Sequence, residues 1–362
     1  MDTILRYAAR NGSSDTHFVP GYPVRMDVRG DLVNATYRVM TTDEMDAVIE
    51  AAKGIEGPAM IKGGQALSYS YEIPEREGES LINGSFRFRV ESAGCEYMAN
   101  TSARTVFRYL PTLVPRLENQ NPGIAQDVID ALTPTKGMVL VVGSTGTGKS
   151  TLLAGFVRYI GERRPINIMT FEEPIEFVYR REVMLREGAW LATVIQSEIG
   201  RHFQSWGDAI RSALRSAPKV ALVGEMRDPE SISTAVEFVR TGHCLYSTMH
   251  VDGVAAVPTE IGKRSGGDPE MWARVISVLR GVVYQRLAKT KSGGRMAVRE
   301  VILIDQEARE RILASKSDRE AEKTMSAIIH ERKTDIASEA HRLVDAGEID
   351  PAEAERIIRE AY

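Results

Sequence analysis

The sequence predicts an α/β protein. Its main domain is expected to hold a mostly parallel, doubly wound sheet, preceded by a small α+β domain and followed by C-terminal helices. Three observations predict this class: alternating strands near the start, short apolar runs separated by helical patterns after Lys136, and a glycine-rich loop after the first of these runs. The predicted boundaries are 1–112 for the N-terminal domain, 113–123 for a linker, 124–305 for the main domain and 306–362 for the C-terminal helical extension.

Two stretches of the first domain alternate in polarity with a period of two, which is typical of strands. They are SFRFRVE (85–91) and RTVFRYL (104–110). Successive side chains of a strand point to opposite faces, so the arginines of each stretch share one face. These arginines are Arg87, Arg89, Arg104 and Arg108.

A helix is predicted over residues 41–52 (TTDEMDAVIEAA) of the same domain. Thr42 is the expected N-cap, because a threonine oxygen can accept from a free amide of the first turn. Met45, Val48 and Ile49 recur at helical spacing and are expected to face the core.

The main domain is predicted from four short, almost wholly apolar runs that follow a proline- and asparagine-rich linker. Buried strands of a parallel sheet have this composition, because helices cover both faces. The runs are 137–143, 166–171, 219–224 and 244–249. Helical patterns lie between most of them, which indicates a doubly wound arrangement.

Residues 306–362 are charged and have helical patterns. The stretch GEIDPAEAERII contains a strong helix start, with Asp350 as N-cap, Pro351 at the first helical position and Glu353 completing a capping box. Two roles are open for this extension: contact with partners, or packing onto the main domain.

Composition restricts the class of protein and its compartment. Hydrophobic residues make up 43% of 362 residues, which suits a soluble globular chain. The formal charge of −4 predicts no direct nucleic-acid binding. Cys95 and Cys244 form neither a metal-ligand spacing nor a disulfide framework, so we expect a reducing compartment. A signal peptide and an apolar run of about 20 residues are both missing, which predicts a cytosolic protein that docks on membranes only peripherally.

The loop GSTGTGKST (143–151) fits the pattern G-x-x-x-x-G-K-[ST], and a strand and a helix flank it. Its glycines let backbone N–H groups converge on phosphate oxygens, and the helix N-terminus adds partial positive charge. Lys149 is expected to reach the β- and γ-phosphates of ATP, and the Ser150 hydroxyl to ligate Mg²⁺. A chance match has odds of about 1 in 100 from average composition. The predicted binding residues are Ser144, Thr145, Gly146, Thr147, Gly148, Lys149, Ser150 and Thr151.

The other three apolar runs end in ionisable side chains. They end at Glu172 and Glu173, at Glu225, and at His250. The carboxyl ends of parallel strands meet at one edge of a sheet, so we expect these groups around one nucleotide.

Roles for these side chains follow from their chemistry. Glu225 is expected to polarise the attacking water, and Glu172 to order water around Mg²⁺ or share that task. Both acids would therefore contact the metal through water. His250 is expected to sense the γ-phosphate. The alternatives are a loop carboxylate for Glu172 and a structural histidine for His250, and His243 fits either kind of role equally well.

The rate of phosphoryl transfer also rises when an arginine stabilises the charge that develops in the transition state. Arg227 is the candidate from the main domain. The candidates from the first domain are Arg87, Arg89, Arg104 and Arg108, for which a solvated strand face is the alternative. An arginine supplied across a subunit boundary would couple hydrolysis to assembly.

Together these motifs resemble the secretion ATPase superfamily, which contains pilus-retraction and VirB-type secretion motors. In this resemblance GSTGTGKST is the Walker A motif, TFEEPIEF the aspartate box, ALVGEMRDPE the Walker B motif and TGHCLYSTMH the histidine box. Residues 12–33 resemble the start of the PAS-like N-terminal domain of that superfamily, and 279–303 the end of its motor domain. QSEIGRH and DAGEIDPAEAERII are similar to the type IVB branch, the Dot/Icm-type secretion and plasmid-conjugation motors.

The resemblance implies a RecA-like ATPase domain and an ATP hydrolase that assembles into a homohexameric ring. It implies a motor that powers type IVB secretion or conjugative transfer, docked at the cytoplasmic face of a complex in the inner membrane. It also implies that Glu172, Glu225 and His250 hold catalytic positions. Arg89, Arg104 and Arg108 lie where the superfamily places the arginines of its N-terminal domain.

Departures from the superfamily pattern bear on the alternatives. The aspartate box reads Glu172-Glu173 where Glu-Asp is usual, which leaves the role of the second acid open. Two cysteines are too few for the tetracysteine zinc site of many pilus-extension motors, and the C-terminal retraction motif has no match. Both points favour secretion or conjugation over a type IV pilus motor, which is the principal alternative. A small-molecule kinase, a nucleotide-gated binding module and a nucleic-acid helicase are the remaining ones.

Overall fold

The structure is a computed structural model that describes residues 1–28, 31–76, 85–110, 114–120, 122–180, 184–185 and 188–361. The chain divides into two compact units. The first comprises Met1–Leu113 and Pro174–Val183, and the second comprises Val114–Glu173 and Met184–Tyr362. The short segment Pro174–Val183 therefore groups with the first unit, although it lies within the predicted main domain.

The first unit is an α+β fold around one antiparallel sheet. Its elements are α1 (Asp2–Arg10), β1 (Ser13–Phe18), β2 (Pro23–Val28), β3 (Asp31–Val39), α2 (Thr42–Lys53), α3 (Gly57–Lys62), β4 (Leu67–Pro74), β5 (Ser85–Tyr97) and β6 (Asn100–Tyr109). Within the described residues the sheet order is β3-β2-β1-β6-β5-β4, and every pairing is antiparallel. One face of the sheet packs against α2 and α3 and carries the core.

Helix α2 begins one residue earlier than the sequence analysis predicted. Thr41, and not Thr42, is the N-cap: its hydroxyl accepts from the Glu44 amide, and the Glu44 carboxylate accepts from the Thr41 amide. The capping box fixes this position because it satisfies two amides at once. The predicted inward residues Met45, Val48 and Ile49 are buried, as expected.

The alternation of β5 is confirmed on its apolar face, but its other face is not simply solvated. Phe86, Phe88 and Val90 are buried. Arg87 is also buried, with 6% of its surface exposed, because its guanidinium donates to the carbonyls of Ile175 and Glu176 at 2.9 and 3.0 Å. These two bonds help to hold the segment 174–180 on the first unit.

The second unit is a doubly wound α/β fold with added C-terminal helices. Its elements are a 3₁₀ turn (Leu117–Asn119), α4 (Gln126–Ala131), β7 (Gly137–Val142), α5 (Lys149–Arg163), β8 (Asn167–Glu172), β9 (Thr193–Glu198), α6 (Trp206–Ser216), β10 (Val220–Val223), α7 (Pro229–Arg240), β11 (Cys244–Met249), α8 (Val257–Lys263), α9 (Met271–Val278), β12 (Leu279–Lys289), β13 (Arg295–Leu303), α10 (Gln306–Leu313), α11 (Asp318–Arg332), α12 (Ile336–Asp345) and α13 (Pro351–Ala361).

The sheet of the second unit is parallel except at one edge. Its strand order, within the described residues, is β13-β12-β7-β11-β10-β8-β9, and only the β12–β13 pair is antiparallel. All residues of β7, β10 and β11 are buried, as a sheet covered on both faces requires. The predicted α/β fold class is confirmed.

The C-terminal helices belong to the core of this unit. Ile312, Met325, Leu343 and Ile357 come one from each of α10 to α13, and all four are buried in the same apolar cluster as Val298 of β13. Within the described residues, every helix is too short or too polar to span a bilayer.

Phe107 should contribute strongly to the stability of the first unit. It has no exposed surface, and its ring lies 5.3 Å from that of Phe18 and 6.2 Å from that of Phe88, between centroids. Phe107→Ala should lower the free energy of unfolding by about 3–5 kcal/mol, because it removes a large buried ring and leaves a cavity. Amide hydrogen exchange on β5 and β6 measures this loss. Tyr37→Ala, at a fully exposed tyrosine, should change it by less than about 0.5 kcal/mol, and equal effects would contradict the prediction.

Candidate functional site

The glycine-rich loop lies between β7 and α5, as predicted. Gly146 and Gly148 have φ angles of 80° and 86°, which only glycine adopts without strain, and α5 begins at Lys149 directly after them. The Lys149 ammonium is 8% exposed and donates to the carbonyls of Gly143 and Ser144, at 2.8 Å each. The loop therefore forms a curved backbone around a buried cation at a helix N-terminus, which suits a phosphate group.

Parallel pairing brings the predicted strand-end groups to one edge of the sheet. β7 pairs with β11, β11 with β10 and β10 with β8. Glu172 is the last residue of β8, Glu225 follows β10 by two residues, and His250 follows β11 directly. These three side chains and the loop at the end of β7 therefore follow four adjacent strands at their carboxyl ends.

Local hydrogen bonds fix the acids and the segments that carry them. The Glu172 carboxylate accepts from the Thr170 hydroxyl at 2.7 Å and from the Gln196 amide at 3.3 Å. The backbone around Glu225 is bound to the neighbouring strand β11: the Met226 amide donates to the Thr248 carbonyl at 3.2 Å, and the Thr248 hydroxyl donates to the Gly224 carbonyl at 2.5 Å. Glu225 therefore lies in a short turn whose backbone is hydrogen-bonded to β11.

Electrostatics links His250 to the loop and to Glu225. The pKa of His250 is lowered, chiefly by partial desolvation of the largely exposed side chain and then by repulsion from the Lys149 ammonium. Glu225 acts in the opposite direction, and Arg264 adds a smaller repulsion. The imidazole is therefore neutral at pH 7, and Lys149, Glu225 and His250 lie close enough for their charges to interact.

The remaining charges after β10 have structural partners. Arg227 forms an ion pair with Glu173 at 3.3 Å between half-exposed side chains. Asp228 caps α7, because its carboxylate accepts from the Ser231 amide at 2.8 Å. The second acid of the Glu172-Glu173 pair thus binds an arginine.

The histidine at position 243 has contacts that suit a structural role. Its ring stacks on Phe238 with centroids 4.5 Å apart. Nδ1 lies 2.9 Å from the Thr241 hydroxyl and 3.1 Å from the Phe238 carbonyl. Both contacts hold the turn between α7 and β11.

The candidate arginines of the first unit share one face of its sheet. Arg89 and Arg108 are directly opposite each other in the β5–β6 pair. Arg108 is exposed and donates to the Asp15 carboxylate at 2.8 Å. Arg104 is exposed and lies opposite Ala93, further along the same two strands.

The oxygen-bearing side chains at the strand ends are of the kind that bind Mg²⁺ in nucleotide sites. No group of three or more His, Cys, Asp or Glu side chains forms a metal cluster in the part of the chain that the structure describes. Mg²⁺ in phosphate-transfer sites takes one or two protein ligands and keeps several waters. The Ser150 hydroxyl, with Glu172 and Glu225 acting through water, matches that pattern.

The sequence analysis did not predict that residues of β12 and α13 also line the pocket beside the loop. A pocket of about 200 Å³ beside Ser144–Thr147 is also lined by Arg286, Arg356 and Glu360. Arg356 of α13 donates to Glu360 at 2.9 Å, and the Glu360 carboxylate also binds Arg286. The available signal was the apolar run of β12, which, like the other runs, ends in polar side chains next to the loop strand.

Comparisons with known proteins agree with this geometry. The family described as "Type II/IV secretion system protein" matches residues 82–293. The chain is 33% identical to a twitching motility protein of Neisseria gonorrhoeae over 293 residues, covering 80% of this chain and 72% of that protein. It is 31% identical to the type IV pilus retraction ATPase PilT of Pseudomonas aeruginosa, covering 83% and 81%.

Solved structures agree as well. The Legionella pneumophila ATPase DotB has a TM-score of 0.82 at 30% identity, covering 99% of this chain and 95% of that one. The pilus retraction motor PilT with bound ADP has a TM-score of 0.81, and its 24% identity supports the fold alone. The predicted superfamily is thereby confirmed. The chain belongs to the type II/IV secretion system protein family, and it is a nucleotide-binding, ATP-hydrolysing member of the secretion ATPase superfamily.

Proposed function

We propose that this chain is the subunit of a homohexameric motor that uses ATP hydrolysis to power a type IVB secretion system or a conjugative transfer apparatus. The observation that carries the proposal is the likeness to the ATPase DotB, at 30% identity over 99% of the chain. The segments QSEIGRH and DAGEIDPAEAERII, which resemble the type IVB branch, support it independently. The motor would work in the cytoplasm, docked peripherally on a membrane-embedded complex.

The chemistry proposed for the site follows from the strand-end groups. The loop amides and Lys149 would bind the phosphates of ATP, and Glu225 would accept a proton from the attacking water. Glu172 would hold ordered water near Ser150. Bound Mg²⁺ would supply charge neutralisation on the phosphates. The neutral imidazole of His250 could donate a hydrogen bond to a phosphate oxygen without adding a second cation beside Lys149.

The arginines of the first unit are proposed to act on a nucleotide bound to a neighbouring subunit of the ring. Arg89 and Arg108 are two cations directly opposite each other, and like charges in that position are destabilising. Asp15 offsets one of them. An anionic ligand on this face would offset the other, and Arg104 on the same face would extend the positive patch. Arg227 remains the candidate from the motor domain itself.

A type IV pilus motor is the second candidate function. PilT and PilU of Pseudomonas aeruginosa, at 31% and 29% identity, are pilus ATPases, and this observation favours it. The sequence carries neither the four cysteines of many pilus-extension motors nor the retraction motif. These two absences favour transfer over pilus dynamics in our proposal.

The charge interactions of His250 can be tested by its titration. Lys149→Met should raise the pKa of His250 toward its ordinary value, because it removes a like charge. Glu225→Gln should lower that pKa further, because it removes an attractive carboxylate. NMR of the imidazole signals measures both shifts, with His330 of α11 as an internal reference. If the pKa of His250 is the same in both variants as in the wild-type protein, the proposed cluster of Lys149, Glu225 and His250 is excluded.

Hydrolysis should depend on assembly. Turnover per subunit should rise with protein concentration as rings form, and native mass spectrometry with ATP and Mg²⁺ should show the hexamer. Lys149→Ala should abolish turnover, and Glu225→Gln should lower kcat by about 10²–10⁴-fold while nucleotide binding persists. Full turnover by a stable monomer at every concentration would contradict the motor proposal.

The two candidate machines predict different phenotypes. Deleting the gene should stop conjugative or secreted substrate transfer and leave surface pili and twitching unchanged. Wild-type protein should restore transfer, and the matched Lys149→Ala protein should not. Loss of twitching with normal transfer would instead support the pilus motor.

A further inference from the structure

The phosphate-binding loop rests on a buried glutamine of β12. The Gln285 carboxamide is 3% exposed and donates through Nε2 to the Thr147 carbonyl at 2.7 Å. A Cβ at Gly148 would lie 2.8 Å from this Nε2, and a Cβ at Gly143 would lie 2.8 Å from the Gln285 carbonyl. Gly143 and Gly148 therefore lack a side chain partly because the loop packs closely on Gln285. This requirement is separate from the close approach of a phosphate group to the loop backbone.

The same carboxamide is held from its other side by a buried arginine. Gln285 and Arg299 are register partners on β12 and β13, and Arg299 Nε donates to Gln285 Oε1 at 2.8 Å. The other two nitrogens of this guanidinium bind residues near the start of the second unit, here called the connecting segment because it follows the first unit in sequence. One donates to the Pro122 carbonyl at 2.9 Å, and the other to Gln120 Oε1 at 2.6 Å. Burial lowers the pKa of Arg299 to about 10, so it stays charged at neutral pH.

These bonds form a chain from the connecting segment to the loop. Gln120 and Pro122 bind Arg299, Arg299 binds Gln285, and Gln285 binds the Thr147 carbonyl. Hydrogen bonds to a charged guanidinium are stronger than neutral ones, and a fixed fork with three occupied nitrogens allows little reorientation. A shift of Gln120 or Pro122 would therefore be transmitted to the loop.

The bond to Thr147 determines which way a loop amide points. In a planar trans peptide the C=O and the following N–H point in opposite directions. Holding the Thr147 carbonyl on Gln285 thus directs the Gly148 N–H away from the Gln285 carboxamide, and we infer that it is then available to a phosphate oxygen. If this bond were lost, the peptide could rotate and present an oxygen to the phosphates, which they would repel.

We propose that Gln285 and Arg299 are positioning residues that couple the connecting segment to the phosphate-binding loop. They set nucleotide affinity without contacting nucleotide themselves. The proposal rests on the ATP site proposed above, and it extends that site to Gln120, near the start of the second unit. Movement of the connecting segment would then tighten or loosen nucleotide binding.

Three substitutions separate the bonds of this chain. Gln285→Glu keeps an acceptor for Arg299 and removes the donor to the Thr147 carbonyl, so it should raise the Kd for ADP with Mg²⁺ by about tenfold to a hundredfold. Gln120→Leu removes only the far acceptor and should raise that Kd by about threefold to tenfold. Gln120→Glu retains the acceptor and should keep wild-type affinity, so a loss in Gln120→Leu together with retention in Gln120→Glu assigns the effect to the hydrogen bond.

The controls distinguish the possible failures. Gln306→Leu alters an exposed glutamine whose amide binds Glu310, and it should leave the Kd unchanged. Calorimetric titration gives the Kd values, and circular dichroism confirms folding. If Gln285→Glu fails to fold, the two variants of the half-buried Gln120 still test the coupling. Wild-type affinity in folded Gln120→Leu would overturn the coupling, whereas a wild-type protein that binds no ADP would overturn the nucleotide site itself.

Discussion

Parallel pairing of β7, β11, β10 and β8 is the constraint on which the site depends. Each strand is buried, so each can carry a charged side chain only where it leaves the sheet. Parallel direction then places all of these exits at one edge. This arrangement brings Lys149 and Glu225 close enough to affect the pKa of His250, which desolvation lowers most, Lys149 lowers further and Glu225 raises.

The antiparallel addition of β13 serves the same site in a different way. It places Arg299 opposite Gln285, so β12 accepts a buried, charge-assisted hydrogen bond from β13. A buried guanidinium is costly unless its donors are satisfied. Here each of its three nitrogens has an acceptor, at 2.6 to 2.9 Å. Such a satisfied network is rigid, which suits a loop whose amides must hold fixed directions.

The sequence was sufficient for features that follow from local rules. Apolar runs predicted the strands, the glycine spacing predicted the loop between β7 and α5, and strand direction predicted the edge where Glu172, Glu225 and His250 lie. The N-cap of α2 was misplaced by one residue, although the capping-box spacing favours Thr41: Glu44 stands three residues after Thr41, whereas Met45 stands three residues after Thr42. The chemical roles given to these side chains remain predictions.

Features that depend on contacts distant in sequence could not be predicted. Arg87 was a candidate phosphate contact with a solvated strand face as the alternative, and its burial depends on carbonyls 88 and 89 residues away. Gln285 lies 138 residues from the carbonyl that it holds. Neither contact produces a period or a spacing, and a polar residue within a strand is equally compatible with a solvated position.

The position of α13 shows why the C-terminal extension is part of the motor domain. Ile357 is buried in the core of the second unit, and Arg356 donates to the Leu287 carbonyl at 3.3 Å, two residues beyond Gln285. Glu353 accepts from the Lys289 amide at 2.7 Å. The helix is therefore anchored to the end of β12, the strand on which the loop rests. Any force that displaces α13 acts on β12 within a few residues of Gln285, so a partner that binds this helix could alter nucleotide affinity from outside the pocket.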